Sequence, residues 1–495
     1  MSVLDPRGRS KKVTPPRLAA SLEKTPVFAG NEPEAATPKD FATLAIRSSP
    51  PWLVSMVAHL VLLLALALVG FPDSIGKIPV VQVTYAEQEG EQLIDDSALM
   101  SGLSSADVTE NQFSKGEIPV QNPFAAPPEL AITLDALQST SRIAAPSIGL
   151  ALTGREKGAR EALMAAYGGT ATTEAAVGLG LEWLKRNQHR DGTWNLQGPY
   201  SGGVAGVENR TAATAMALLA FQGNGHTHRK GEHREVVSRG IKALLAMQDA
   251  SGNFFKEGLN HHRLYSQAMA TIAVCELYGM TQDSALQEPA QRALNYAAKV
   301  QADDGSGGGG WRYNPGQDVD TSVTGWFVMA LQSGRMAGLD VSTPALDKVS
   351  AYLDRVTADG SRYSYRPGER VKPSMTAEAL LCRQYLGWKR DDPKLIDGVR
   401  FLLEHPENWH ELDVYYWYYA TQVIHHMGGE FWTEWNDVMR RVLPENQVQE
   451  GRERGSWDSR GDPYGYQGGR LYCTCLCIYM LEVYYRHLPI YQVKL

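Results

Sequence analysis

The sequence predicts an all-α protein whose larger part is a closed double ring of six helical hairpins. Three observations lead to this prediction. A turn containing a glutamine, a glycine and an aromatic residue recurs along the chain, amphipathic helices precede these turns, and uniformly apolar helices follow them. Such recurrence is typical of repeat proteins, in which each unit buries its apolar face against the next.

The recurring turn is clearest in "QHRDGTW", from Gln188 to Trp194. "MQDASGNFF" and "VQADDGSGGGGW" contain the same elements, and the three glutamines lie 60 and 53 residues apart. "TADGSRYSY" keeps the glycine and the aromatic residue, and "RGSWDSRG" ends the series. Asp-Gly allows the left-handed turn that stops a helix. The aromatic side chain is large and apolar, so it must be buried against a neighbouring element.

The helices on the two sides of each turn differ in pattern. Those before it carry apolar residues at i, i+4 and i+7, as in Val177, Leu181 and Leu184, so one face is buried and the other meets water. Those after it, such as "TAATAMALLAF" and "TSVTGWFVMAL", are apolar on all sides. With "EFWTEWNDVMRRV" the count is six outer and six inner helices. An open stack would expose one side of its inner helices, so the pattern favours a closed ring over an open array.

These turns, together with "GGGGWRYNPG" and "DTSVTGWFVMAL", resemble the repeats of squalene–hopene-type terpene cyclases and protein prenyltransferase β-subunits. The resemblance covers about residues 170 to 488. It implies an (α/α)6 toroid with a central cavity, a fold shared with the thioester domains of complement-like proteins. It does not assign a reaction, because one fold hosts many functions.

A class II terpene cyclase requires a D-x-D-D motif, in which one aspartic acid stays protonated so that it can protonate an alkene. This sequence has "QDVDTSV", where Thr321 follows Asp318 and Asp320 in place of a further aspartate. Asp320 is therefore the candidate catalytic acid, and Asp318 is its candidate partner. In the alternative interpretation Asp320 caps the third inner helix, accepts hydrogen bonds from backbone N–H groups and has no second carboxylate against it.

The zinc chemistry of the prenyltransferases requires Asp, Cys and His ligands. The resemblance places Ser322 at the cysteine position and Cys473, in "YCTC", at the histidine position. Gln317 and Asn314 stand where that family has basic residues that hold diphosphate. We therefore expect neither a metal site nor a cofactor.

The ligand pocket implied by the resemblance is better preserved. His262 and Tyr265 match the H-x-x-Y motif of the prenyltransferases, and Trp326 matches their pocket tryptophan. Tyr415 and Trp417 belong to the run "VYYWYYATQVIHH", whose aromatic residues surround one helical turn, so that some must point into the ring. Aromatic cavities bind isoprenoid chains, and stacked aromatics bind sugars. In the alternative, these rings only fill the interior.

The N-terminal third contains a membrane signal. Residues 51–71, "PWLVSMVAHLVLLLALALVGF", include no formally charged residue and span about 30 Å as a helix. The first 50 residues carry eight Lys or Arg, whereas residues 72–100 carry only Lys77. The positive-inside rule therefore places the N-terminus in the cytoplasm and the toroid on the extracytoplasmic side, which is the periplasm in a bacterium. A cleaved signal peptide is the alternative, but its charged region would be unusually long.

The chain thus divides into four predicted regions. These are a disordered cytoplasmic tail (1–50), a transmembrane signal anchor (51–71), a flexible linker (72–165) and the toroid (166–495). The net charge of −7 is spread along the chain without a basic stripe, so nucleic acid is not an expected partner. The lipid bilayer is the partner expected for residues 51–71.

The sequence favours a membrane-anchored toroid that binds a hydrophobic, isoprenoid-like ligand or a partner protein in its cavity, without intact family chemistry. One alternative is a divergent terpene cyclase-like isomerase that uses Asp320 as its proton donor. Another is a glycan-active enzyme. The cavity distinguishes them, since it can be an aromatic pocket with one buried carboxyl group, a charged groove or a filled core.

The predicted topology can be tested with protease in spheroplasts or intact cells. Because positive charge precedes the apolar run, we expect protease added outside to digest the chain beyond residue 71 and to spare an epitope placed in residues 1–50. Protection of the toroid, with permeabilised cells as the control for cleavability, would contradict the predicted orientation.

Overall fold

The computed structural model describes residues 152, 154–486 and 488–491. The predicted tail, the apolar run 51–71 and all but the end of the predicted linker lie outside the described residues. None of the described helices is long and apolar enough to cross a membrane. The anchor at residues 51–71 therefore stays a prediction.

Six helical hairpins make up most of the described chain. The outer helices are α2 (Ala171–Arg186), α4 (Arg234–Met247), α6 (Ser284–Lys299), α8 (Thr343–Val356), α10 (Pro393–Leu403) and α12 (Gly429–Glu445). The inner helices are α3 (Arg210–Gly223), α5 (Arg263–Thr281), α7 (Thr321–Met336), α9 (Pro373–Tyr385), α11 (Val414–Met427) and α13 (Gly465–Leu481). The remaining regular elements are α1 (Lys157–Tyr167), α14 (Val483–Arg486), the antiparallel strands β1 (Ala302–Asp303) and β2 (Gly309–Gly310), and two 3-10 turns, Asn260–His262 and Trp409–Glu411.

The inner helices form a closed ring. Each packs against the next in chain order from α3 to α13, and α13 packs against α3. Burial follows the sequence pattern: every residue of α3 from Thr211 to Gly223 is buried, whereas the outer helix α4 buries only Val236, Val237, Gly240, Ile241 and Leu244. The predicted all-α double ring is confirmed for the described residues.

Glutamine side chains join consecutive hairpins at the turns. In three turns the Nε2 group donates to a carbonyl oxygen of the next outer helix: Gln188 to Val236 (3.0 Å), Gln248 to Pro289 (2.9 Å) and Gln301 to Ala345 (2.8 Å). Gln447, which the repeat pattern did not identify, donates to the carbonyl oxygen of Ala176 in α2 at 2.8 Å. The same type of bond thus connects the last hairpin to the first.

The turns also need glycine for close approach. Gly192 has a φ of 90°, and a Cβ atom built there would lie 2.4 Å from the carbonyl oxygen of Arg239 in α4. A side chain at this position would separate the turn from the next hairpin.

The turn tryptophans close the ends of the outer helices. Their indole N–H groups donate to carbonyl oxygens in or next to the last turn of these helices: Trp194 to Leu184 (2.7 Å), Trp311 to Ala297 (2.9 Å) and Trp457 to Leu443 (2.7 Å). A Cβ atom at Gly240 of α4 would lie 2.9 Å from the Trp194 ring, so this tryptophan fills the contact between two hairpins. One aromatic residue therefore caps a helix and packs against its neighbour.

The N-terminal limit of the folded region is earlier than predicted. Helix α1 begins at Lys157, inside the predicted linker 72–165, and packs against α14. Arg155 is buried and donates a hydrogen bond to Glu276 of α5 at 2.7 Å. The end of the linker region is thus part of the folded structure, because it supplies a cation to a buried carboxylate.

We expect Trp194→Ala and Trp311→Ala each to lower the free energy of unfolding by about 3–5 kcal/mol, because each removes a fully buried indole and leaves a cavity between hairpins. Leu259→Ala is the control, since Leu259 is 41% exposed and should cost less than about 0.5 kcal/mol. Urea unfolding followed by circular dichroism measures all three. Losses below about 1 kcal/mol at both tryptophans would contradict the packing described here.

Candidate functional site

A cavity of about 320 Å³ lies at the end of the ring where the inner helices begin. All six inner helices, or the residues just before them, contribute to its wall. The lining residues are Leu196, Asn209, Ala212, Met216, His261, His262, Tyr265, Ser266, Met269, Tyr313, Ser322, Trp326, Tyr365, Lys372, Met375, Tyr415, Tyr464, Gln467, Gly468 and Tyr472. Six tyrosines, one tryptophan and three methionines dominate this set. The cavity is therefore an aromatic pocket and not a filled core.

The charge around this cavity is low. His261 and Lys372 are its exposed basic residues, and no carboxylate is among its lining residues. The positive ends of the inner-helix dipoles also point towards this end of the ring. The wall is thus apolar and phenolic, with weakly positive electrostatics at the mouth.

Asp320 is the N-cap of α7, as the capping interpretation predicts. Its Oδ1 accepts a hydrogen bond from the Val323 N–H at 2.8 Å, and its Oδ2 accepts one from the Tyr365 hydroxyl at 2.6 Å. The Arg312 Nε lies 3.4 Å from Oδ2. Burial raises the pKa of Asp320 to about 6, against the two hydrogen bonds and Arg312, which favour the ionised form. Tyr365, not Asp320, reaches the cavity wall.

Asp318 occupies the loop before α7 with a φ of 59°. It pairs with Arg312 and, at 2.9 Å, with Arg366. Burial acts to raise the pKa of Asp318, but the Val319 N–H and the two arginines lower it below its usual value. Asp318 is therefore held ionised at the surface, and Arg312 stands beside both aspartates.

Three of the predicted ligand-binding residues, His262, Tyr265 and Trp326, line the cavity together. His262 is 9% exposed, and its Nε2 has no hydrogen-bond partner among the described residues. Burial and the neighbouring His261 lower the pKa of His262 to about 4, so the imidazole is neutral at pH 7. The Trp326 Nε1 likewise has no partner among the described residues. Both are buried polar atoms of residues that line the cavity.

Tyr415 also lines the cavity, whereas Trp417 does not. Trp417 is buried against Trp409, with ring centroids 6.0 Å apart. Periodicity predicted that the aromatic run surrounds a helical turn, but it did not specify which residues face inward. Trp417 therefore belongs to the packing between α11 and the preceding turn.

A chain of hydroxyl groups leads from the cavity wall to a buried carboxyl group. The Tyr265 hydroxyl is 2.8 Å from Ser322 Oγ, and Ser322 Oγ is 2.5 Å from the Tyr415 hydroxyl. The Tyr415 hydroxyl donates to both carboxyl oxygens of Glu378 at 3.1 Å. Glu378 was not predicted from the sequence. Its only signal was an acidic residue within the apolar inner helix "SMTAEALLC".

The residues that correspond to zinc ligands do not form a metal site. Among the described residues, no group of three or more His, Cys, Asp and Glu side chains is arranged to hold a metal ion. Ser322 bonds to tyrosine hydroxyls, and the Cys473 Sγ lies 3.6 Å from the carbonyl oxygen of Asp458. All five cysteines are free and buried.

No family model and no curated protein matches this sequence. Solved structures with a similar helical arrangement include an α-1,6-mannanase from Salegentibacter sp. HEL1_6, at 12% identity and a TM-score of 0.46, covering 63% of this chain and 98% of that one. A type II terpene cyclase from Scytonema, in complex with geranylgeranyl dihydroxybenzoate, shares 13% identity with a TM-score of 0.44 and covers 64% and 98%. A protein from Actinoplanes shares 14% identity with a TM-score of 0.42 and covers 63% and 99%.

The role of Asp320 can be tested through the pH dependence of stability. In the folded protein the pKa of Asp320 is about 6, above its ordinary value of 3.8. Its contribution to the free energy of unfolding is therefore complete below pH 3.8 and is lost as the pH rises to about 6. In that pH range the free energy of unfolding of the wild type should fall by about 1.4 kcal/mol per pH unit because of Asp320. We expect Asp320→Asn to remove this pH dependence, because Asn cannot ionise but still caps the helix.

Asp320→Ala, which lacks the capping oxygen, should cost about 1 kcal/mol relative to Asp320→Asn at every pH. Urea unfolding of the three proteins between pH 4 and pH 7 provides the comparison. Equal slopes for the wild type and Asp320→Asn would contradict the raised pKa.

Proposed function

We propose that the ring binds a hydrophobic, isoprenoid-like small molecule in its central cavity. The main support for this proposal is the wall of the cavity. Its methionine, tyrosine and tryptophan side chains surround a space of about 320 Å³, and no carboxylate lines it. Binding pockets for small molecules are typically apolar concavities of roughly this size or larger with a few convergent polar groups.

Two kinds of lining residue would bind different parts of such a molecule. Met216, Met269, Met375 and Trp326 offer adaptable apolar contact, since thioether chains adjust to irregular shapes. The Tyr265–Ser322–Tyr415 hydroxyls offer hydrogen bonds to a polar group. A ligand with a long apolar part and one polar end matches this division.

The ring is, in this proposal, held at the extracytoplasmic face of the membrane by residues 51–71. A membrane anchor would keep the cavity near the compartment in which isoprenoid-like molecules dissolve. A protein partner at the cavity is the other occupant that the sequence pattern allows. Enclosure of the cavity between six inner helices favours a small molecule instead.

A second candidate function is acid catalysis of the terpene cyclase-like type. Its specific support is the chain from Asp320 through Tyr365 to Tyr313, whose hydroxyls are 2.6 Å apart at the cavity wall. Arg312 beside Asp320 favours the ionised carboxylate, which weakens it as a proton donor. Conversion of a polyprenyl substrate to cyclic products, abolished by Asp320→Asn, would establish this function.

Glycan cleavage, the third hypothesis, has less support. Glycosidases generally place two carboxyl groups on either side of the scissile bond. Here Asp320 and Glu378 both lie behind tyrosines that line the cavity, so neither is positioned to touch a sugar.

Photolabelling tests the proposed binding site. We expect a farnesol analogue with a diazirine in its chain to label peptides containing Met216, Met269 or Met375 in the full-length protein in lipid nanodiscs. Met375→Trp should reduce this labelling at least tenfold, because the larger side chain fills the cavity. Leu259→Trp, at the same end of the ring but outside the cavity wall, should label like the wild type. Labelling that is confined to other surfaces, or is unchanged by Met375→Trp, would contradict the proposal.

A further inference from the structure

A second, smaller void of about 20 Å³ continues the cavity deeper into the ring. On four inner helices a residue that lines the void follows a residue that lines the cavity by three positions: Met216 and Leu219 on α3, Met269 and Ile272 on α5, Trp326 and Met329 on α7, and Tyr415 and Tyr418 on α11. Residues three apart share one face of a helix and differ by about 4.5 Å along its axis. Because the inner helices begin at the cavity, the void lies about one helical turn behind it.

Trp326 stands between these two spaces. Among the described residues it is the one that lines both of them. Its indole stacks on the Tyr418 ring, with centroids 5.9 Å apart, and meets the Tyr419 ring edge to face at 6.0 Å. Contacts of this kind in a close-packed interior favour one orientation of the indole. Trp326 therefore forms the inner end of the cavity.

The far side of the void is charged. Glu276 and Arg486 belong to its wall and lie 3.5 Å apart, and Glu276 also pairs with Arg155 at 2.7 Å. An apolar chain that reached these groups would separate buried opposite charges, which is strongly unfavourable. The space that an apolar chain could gain beyond Trp326 is therefore limited to the void itself.

We propose that Trp326 sets the upper size of the apolar chain that the cavity accepts. At about 320 Å³ the cavity is at the small end of small-molecule pockets, which measure roughly 300–1,000 Å³. An indole contains more non-hydrogen atoms than an isoprene unit. Its removal, together with the void behind it, therefore gives room for about one further unit. This inference rests on the proposed function and adds the size class of the ligand.

The test compares farnesol with geranylgeraniol, which is longer by one isoprene unit. Each alcohol competes with the diazirine probe for the full-length protein in lipid nanodiscs. The ratio of their two affinities is compared between proteins, because partitioning into the bilayer affects this ratio equally in each protein. We expect the wild type to bind farnesol at least as tightly as geranylgeraniol. Trp326→Ala should shift the ratio at least tenfold towards geranylgeraniol, because the further unit becomes buried.

Three further variants separate a size limit from a general effect on packing. Trp417→Ala also removes a buried indole, but one that does not line the cavity, so it should keep the wild-type ratio. Ile272→Phe added to Trp326→Ala places a ring in the enlarged space and should return the ratio to within about threefold of the wild type. Trp326→Leu keeps more of the packing and should shift the ratio at least threefold in the direction of Trp326→Ala. Circular dichroism shows which variants are folded.

A wild-type ratio in folded Trp326→Ala would overturn the inference, as would a wild-type ratio in Trp326→Leu if the alanine variant does not fold. An equal shift in Trp417→Ala would also overturn it, because general loosening of the ring would then explain the result. In these cases competition by farnesol in the wild type leaves the proposed function standing. If neither alcohol competes with the probe in the wild type, the proposed function fails, and the inference fails with it.

Discussion

Burial of inner helices that are apolar on all sides is the constraint on which the ring depends, and turn glutamines reinforce it at four of the six junctions between hairpins. Each of these glutamine bonds joins a turn to the backbone of the next outer helix and contributes about 1 kcal/mol. Gln447 closes the series by donating to Ala176 of the first hairpin. Closure matters because the inner helices are apolar on all sides. Each therefore needs an inner neighbour on both flanks, and only a closed ring gives every one of them two.

Ring closure also makes the two ends of the interior different. The inner helices begin at the aromatic cavity, and the opposite end is filled by charged side chains. There Glu276 lies 2.7 Å from Arg155 and 3.5 Å from Arg486, which in turn lies 2.9 Å from Glu482. Buried ion pairs of this kind are strongly destabilised when one partner is lost. The interior is therefore accessible from one end, with Trp326 lining both the large cavity and a small void of about 20 Å³ beyond it.

The sequence allowed the ring and the cap at Asp320 to be predicted, because both depend on local patterns. Periodicity distinguishes outer from inner helices, and an acidic residue before Thr-Ser at a helix start indicates a cap. The repeat pattern did not identify Gln447, because the last turn was recognised only from "RGSWDSRG", which begins seven residues after it. The directions in which the Trp417 and Glu378 side chains point depend on how α11 and α9 are rotated about their axes. That rotation is set by packing between helices distant in sequence, such as the fit of Glu378 against Gly325.

A structure of the full-length protein with farnesol tests the central claim, that the cavity at the start of the inner helices binds an isoprenoid-like molecule. The account predicts the isoprenoid chain against Trp326 and the cavity methionines, with the ligand hydroxyl within hydrogen-bond distance of the Tyr265, Ser322 or Tyr415 hydroxyl. Farnesol bound elsewhere, or a cavity closed by inward movement of its own tyrosines, would contradict it.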